Sequence, residues 1–275
     1  MSSDDVNCEE APTGDRRDIS SLLASWTLED GTVTARRILG ADGCEQIQLR
    51  IPMGLLQFCP DGRPDGTTPE GHESVLAWLR RLVQERHTLT GEHWYELDRE
   101  ITQYYHRRIA LLAMAEAERR EGSHRQAAVD YARVVRDADH NLDVMDFIRQ
   151  HNPDEDFAET HEQYRGFVLG HRTIAAANYW LCRDEPEEAL DAIQIGLDRL
   201  RRVYQDRGDS DALRRDPTAG RLVRLAEQIR KEHAIAKTLH EQLGEAVETE
   251  QFERAGQIRD RIRQRLATLK APFKL

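Results

Sequence analysis

The chain has little of what small reactive centres are usually built from. Its four cysteines, Cys8, Cys44, Cys59 and Cys182, are scattered and form no C-x-x-C pair. That excludes a zinc ribbon or a disulfide framework and leaves reduced, structural thiols. No apolar run approaches the roughly 20 residues that span a bilayer. The first eighteen residues are acidic and polar, so no secretory leader is expected and a cytoplasmic location is. Aromatic residues make up 6% of the chain. Positive charge is in deficit: 39 Lys/Arg stand against 50 Asp/Glu, for a net charge of −11. Such a balance argues against broad, sequence-independent contact with nucleic acid, which relies on basic surface. The deficit is uneven, because residues 219–275 hold twelve Lys/Arg against eight Asp/Glu.

Catalytic and metal-binding patterns are missing as well. Among eleven histidines, the pairs His72-Glu73, His161-Glu162 and His240-Glu241 begin like H-E-x-x-H but lack its second histidine. Glu121 and His124 have carboxylate–histidine spacing, yet Gly122 and Ser123 between them spell a turn. His106, His140 and His151 have no companions in sequence and are expected to be exposed or capping. Ser20, Ser21 and Ser74 lack a nucleophile-elbow context. The turn-rich stretch Pro60–Gly71 (PDGRPDGTTPEG) lacks the lysine of a phosphate-binding loop. No catalytic residue, metal or cofactor is therefore expected, and the protein is not expected to be an enzyme. A hydrolase using that stretch as a lid is the reading that an active-site pocket would favour.

Periodicity gives an α+β chain, mainly α. Residues 1–18 are expected to be a disordered tail, and 19–71 a small antiparallel sheet with a turn-rich loop. Residues 72–206 form a helical domain, 207–217 a linker, and 218–275 a helical hairpin. In the second segment Gln46, Gln48 and Arg50 alternate with Ile47, Leu49 and Ile51, which marks a strand with one buried face. Asp30-Gly31 and Asp42-Gly43 are turn signals. Strands are expected at Ser25–Leu28, Thr32–Leu39, Cys44–Ile51 and Leu55–Cys59, a meander of three or four.

From Glu73 onward the chain reads as helix. In 105–139, Ala127, Tyr131 and Val134 share a face after Gly122. In 170–204, Ala189, Ile193 and Gly196 do the same after Pro186. This small-residue skeleton resembles tetratricopeptide repeats, although the two alanines lie 62 positions apart rather than about 34. Asn152–Asp156 reads as a linker. Of the basic doublets Arg36-Arg37, Arg80-Arg81, Arg107-Arg108 and Arg201-Arg202, three fall on predicted helices, where pairing with nearby carboxylates is expected. Trp26, Trp78, Trp94 and Trp180 are expected to anchor cores.

The most specific pattern lies near the end. Leu239, Leu243, Ala246 and Val247 share one helical face, and after a polar turn Phe252, Ala255, Ile258, Ile262, Leu266 and Leu269 recur at steps of three and four. Each helix thus carries a narrow apolar seam, the pattern of an antiparallel hairpin. Thr249 is the expected N-cap of the second helix, with Glu250 and Glu253 in its first turn and Glu250 placed to pair with Arg254.

These residues closely resemble the UvrB/UvrC motif, or UVR domain, whose pattern reads roughly L-x-x-x-L-x-x-A-V-x-x-E-x-F-E-x-A-A-x-x-R-D-x-I. The matches are Leu239, Leu243, Ala246, Val247, Glu250, Phe252, Glu253, Ala255, Arg259, Asp260 and Ile262; Gly256 stands where the family usually has alanine. The resemblance implies association, because in excision-repair proteins, Clp-type protease ATPases and the regulators of those ATPases this hairpin is a contact module. It implies a protein partner: an excision-repair subunit, a Clp-type ATPase or a second copy of this chain. Leu243, Val247, Phe252, Ile262 and Leu266 would be apolar anchors, with Glu253, Arg259 and Asp260 setting orientation. The alternative is a DNA-repair accessory whose basic C-terminal segment touches phosphate.

Overall fold

The computed structural model describes residues 18–29, 31–209 and 211–270, with the backbone alone for 266–270. The expected tail (apart from Asp18), Cys8 and the side chains of Leu266 and Leu269 lie outside these residues. The described chain is mainly helical with one small antiparallel sheet.

The first expected strand, Ser25–Leu28, does not form. A short helix, α1 (Ser20–Ala24), precedes it, and the Ser25 hydroxyl donates to the Leu22 carbonyl at 2.9 Å. This local bond offers the backbone an alternative to strand pairing. Three strands follow in the order β1 (Ala35–Leu39), β2 (Glu45–Ile51) and β3 (Gly54–Phe58). Arg37 faces Ile47, and Leu49 faces Leu56. The first hairpin turns at Asp42-Gly43, where Gly43 takes φ +76 and Gly40 N–H donates to the Cys44 carbonyl at 2.8 Å. Gly31 also has positive φ but joins no strands. The second hairpin turns at Pro52-Met53, with Ile51 paired to Gly54. Ile47 and Leu49 are buried with Phe58 in the same core as the helices.

Helix α2 (Val75–Gln84) begins at Ser74, whose hydroxyl accepts from Ala77 N–H at 3.0 Å, an N-cap. Helices α3 (Gly91–Arg120) and α4 (His124–His151) form a long hairpin around Gly122 at φ +84. Then come α5 (Glu155–Glu162), α6 (Arg165–Leu181), α7 (Pro186–Asp206), α8 (Ala212–Arg215) and α9 (Pro217–Glu232). Glu155 and Asp156, read as linker, are the first turn of α5; Asp154 caps it by accepting from Phe157 N–H at 3.1 Å. The long helices stack in chain order, α3 on α4, α4 on α6 and α6 on α7, with α9 against α6 and α7.

Ala127, Tyr131, Val134, Ala189 and Ile193 all face this core. A Cβ on Gly196 would stand 2.2 Å from the Thr173 side chain, and one on Gly170 would stand 2.2 Å from that of Thr218. Small residues therefore set how closely α6 approaches α7 and α9. Helices α3 and α4 are 30 and 28 residues long, so each alone nearly fills a 34-residue two-helix repeat. The likeness to such repeats lies in the small-residue crossings, not in element length. Residues 218–232, grouped with the hairpin in the sequence reading, place Leu222 and Ile229 in the main core.

The sheet and the Pro60–Gly71 loop are held on α3 and α4 by buried charge. Arg107, fully buried, donates from Nε and Nη2 to both oxygens of the equally buried Asp137 at 2.7 Å. Its Nη1 donates to the Cys59 and Gly62 carbonyls at 2.9 and 2.8 Å. Arg136 and Arg133 hold Asp61, at 2.5 and 2.9 Å. Arg37 on β1 reaches Glu118 on α3 at 2.7 Å and also pairs with Asp130 on α4. Glu100, fully buried, accepts from Arg63 Nε at 3.0 Å and from Val75 and Leu76 N–H at 2.7 and 3.1 Å. Burial alone would raise the Glu100 carboxyl, but His140 beside it and those N–H groups hold it below the usual range. The loop is therefore fastened along its length, with a single turn of 3-10 helix at Pro69–Gly71.

Most doublets pair as expected: Arg80 with Asp143, Arg81 with Glu85 and Arg201 with Asp198. Arg36 instead bonds Gln48 at 2.9 Å and lies over the Trp26 ring. Trp180 is buried, and Trp78 and Trp94 pack against the core half-buried. His140 has a companion after all, lying 3.0 Å from Glu100 and stacking on Tyr104 at 3.8 Å. His161 is buried as well, 3.0 Å from Asp98.

Asp137→Ala would leave the Arg107 guanidinium uncompensated. It should cost about 3–5 kcal/mol in urea unfolding, far more than Asp143→Ala, whose partner Arg80 is exposed.

Candidate protein-docking hairpin

The last two helices are α10 (Leu239–Glu248) and α11 (Phe252–Lys270). Thr238 and Glu241 open α10 with a capping box. The Thr238 hydroxyl accepts from Glu241 N–H at 3.3 Å, and the Glu241 carboxylate accepts from Thr238 N–H at 2.8 Å. Thr249 ends α10 instead of starting α11, and its hydroxyl donates to the Glu245 carbonyl at 2.7 Å. Glu250 takes φ +57, and Gln251 N–H returns to the Ala246 carbonyl at 2.8 Å, a left-handed helix stop. Glu250 thus lies in the turn; Glu253 is the acid of the first turn of α11. Arg254 bonds Gln251 at 3.1 Å.

Leu239 and Ala246 pack against Ala255, Ile258 and Ile262, with Leu243 half-buried beside them. The seam closes within the hairpin and forms a core separate from the main one. Of the expected anchors, Ile262 and Leu243 belong to this seam and face the sister helix. Val247 and Phe252 do not: they are 51% and 69% exposed, one on each side of the turn. Glu253, Arg259 and Asp260 are exposed on α11, with Arg259 3.5 Å from Asp260. The Leu266 side chain lies outside the described residues.

At the opposite end the hairpin is tied to the body by charge. Arg265 lies 2.8 Å from Glu187, 3.0 Å from Glu188 and 3.1 Å from Asp191, all on α7. His240 sits 3.5 Å from Asp191, and Arg230 on α9 reaches Glu241 at 2.8 Å. The nearby carboxylates, Asp191 first and then Asp198, raise the His240 pKa above its ordinary value, against burial and Arg265. Sequence reasoning missed Arg265 and Asp191, which are distant in the chain and carry no local signal. The Thr-x-x-Glu spacing at Thr238 was readable and marks the true start.

Residues 234–264 match the family model of the UvrB/uvrC motif. The chain carries a UvrB/uvrC motif. No curated protein and no solved structure matches the chain. The motif coincides with the separate seam, the capping box and the turn, so the part matched is the part that has its own core.

Among the described residues no group of three or more His, Cys, Asp or Glu side chains is placed to hold a metal ion. Among the same residues no helix is long and apolar enough to cross a membrane.

Nothing lies within 4 Å of a Cβ built on Gly256. Gly256→Ala should therefore stabilise the motif by about 0.5–1 kcal/mol through helix propensity, read as slower hydrogen exchange across α11. His240 gives a pH dependence. Its raised folded-state value means that its contribution is complete below the ordinary value of about 6.5 and is lost as pH rises through the folded value. Protection factors in α10 should fall between pH 6 and pH 8, and His240→Ala should remove the difference.

Proposed function

We propose that this protein is a non-catalytic adaptor that docks on another protein through its UvrB/uvrC motif. One observation carries the reading. The hairpin is anchored at its base by Arg265 and His240, its seam is already filled, and yet Val247 and Phe252 stand exposed at the far tip. Large apolar side chains held in water on a projecting element gain free energy when covered by a partner. Exposed charges beside them (Glu253, Arg259, Asp260) contribute little to stability but select among partners. The partner classes that fit the motif are an excision-repair subunit, a Clp-type ATPase or a second copy of this chain.

A second reading rests on α11, where Arg254, Arg259, Arg261 and Arg263 are exposed. These could meet phosphate, as in a DNA-repair accessory. Salt separates the two, since phosphate contact weakens steeply as salt rises while an apolar tip contact does not.

The test is affinity capture with the intact chain, with Phe252→Asp and with a chain ending at Lys237, which keeps α9 in the main core. Phe252→Asp should lower partner retention at least about tenfold, the equivalent of roughly 1.4 kcal/mol. Its melting temperature should stay within a degree or so of the parent's, because the side chain is exposed. Equal retention by all three chains would remove the adaptor reading from the hairpin.

A further inference from the structure

A cavity of about 490 Å³ lies between α3, α4, α5 and α6, far in sequence from the UvrB/uvrC motif. Its formation follows from helical spacing. Ile101, Tyr105 and Arg108 recur at steps of four and three along one face of α3, and Asn141 and Met145 are one turn apart on α4. Tyr164, Phe167 and Val168 close the other side from the start of α6. The volume lies in the range of sites for small organic molecules, and the walls are mostly apolar, as such sites are.

The polar groups in this cavity divide into two kinds. Thr102 and Thr160 give their hydroxyls to the carbonyls of Asp98 and Asp156, at 3.1 and 2.8 Å. His161 places Nδ1 2.9 Å from the Phe157 carbonyl and Nε2 3.0 Å from the Asp98 carboxylate, two acceptors of which a neutral ring serves one. The two hydroxyls are satisfied, and His161 is engaged by Asp98. Arg108 is not satisfied. Its side chain is 1% exposed, and neither Nε nor Nη1 has a hydrogen-bond partner. Its charge is offset chiefly at a distance by Asp137, and the Tyr105 ring lies 5.7 Å from the guanidinium carbon. Asp137, the carboxylate that could neutralise it, is already held through both oxygens by Arg107. Asn141, 2% exposed, spends its amide N–H on the Ile101 carbonyl at 3.2 Å and leaves Oδ1 without a partner.

Buried guanidinium groups are ordinarily paired, because an unpaired charge in an apolar site costs stability. Burial lowers the Arg108 pKa to about 10, which still leaves it charged at neutral pH. His171 adds no second charge: burial first, and then Arg108, push it down to about 4. The cavity therefore offers one unpaired guanidinium, one spare acceptor and an apolar wall, with the Asp98–His161 pair at its edge. One charge suits a monoanion better than a phosphate dianion, and a guanidinium matches a planar carboxylate.

We propose that this cavity binds a small organic carboxylate with an apolar body, its carboxylate held by Arg108 and its body by Met145, Phe167 and Val168. The doublet Arg107-Arg108 thereby divides its labour: one arginine is used up in holding the fold, and its neighbour is kept free for a ligand.

Isothermal titration of the full chain with octanoate and decanoate at neutral pH, beside octanol as the uncharged body, tests this. One carboxylate per chain should bind, at least about tenfold tighter than octanol. Arg108→Met should erase that preference and also raise the melting temperature of the ligand-free protein, since it removes an unpaired buried charge. Met145→Trp, which fills the cavity and leaves Arg108 in place, should abolish binding. Any of three results overturns the proposal: no carboxylate binding up to millimolar concentration, equal affinity for octanoate and octanol, or unchanged octanoate binding by Arg108→Met. A lower melting temperature or loss of folding in Arg108→Met also overturns it, because Arg108 would then be a structural residue.

Discussion

The fold depends on two buried carboxylates, Glu100 on α3 and Asp137 on α4. Asp137 and Glu100 are each completely buried, and each holds more than one element. Asp137 fixes Arg107, which in turn grips the carbonyls of Cys59 and Gly62. Glu100 receives Arg63 from the same loop and both leading N–H groups of α2. A three-stranded sheet with one apolar face has too small a core to stand alone. Its apolar side chains Ile47, Leu49 and Phe58 supply burial against the helices. The direction in which the sheet and loop are seated comes from charge, because each arginine accepts only a narrow range of carboxylate geometries.

That division explains which parts of the fold were readable. Strand β2 announced itself through the period-two alternation of Ile47, Gln48, Leu49 and Arg50, but its polar face is not the wet one expected, since Gln48 is buried between Arg36 and Gln57. The helices announced themselves through runs of small and apolar residues at helical spacing. The first expected strand failed because Ser25 has a local hydrogen bond available and no neighbouring strand. The loop at Pro60–Gly71 was correctly seen as irregular, but what fixes it was invisible. Arg107 and the Gly62 carbonyl it holds lie 45 positions apart in the chain, and no local rule links them. His140 was misread for the same reason: its partner Glu100 sits on another helix.

The hairpin shows the same limit at smaller scale. Its seam residues Leu239, Ala246, Ala255, Ile258 and Ile262 follow from spacing alone, and the structure buries all five together. The cap was misplaced because Thr249 and Thr238 both precede helical runs. Only Thr238 has Glu241 three residues on, and only Thr249 sits where the chain must reverse. Which seam residues face the sister helix and which face water depends on where the turn falls. Val247 and Phe252 are exposed because they flank the turn, beyond the last point at which the two helices can cover each other.

The same accounting distinguishes the hairpin from the helical body by what each leaves unsatisfied. Arg107, which seats the loop, is closed off completely and uses four donors on three acceptor groups. Where an apolar group is needed for the hairpin it is closed off as well, as with Ile262. Other groups are left open: Phe252 and Val247 at the hairpin tip, and Arg108 and Asn141 around one cavity. The isolated chain gains nothing for its own stability from leaving these four groups open. Each costs free energy in the isolated protein, by exposing apolar surface to water in one case and by stranding a charge in the other. Departures of that kind are where local rules are expected to yield to function, and the two departures call for different partners, an apolar protein surface and a small anion.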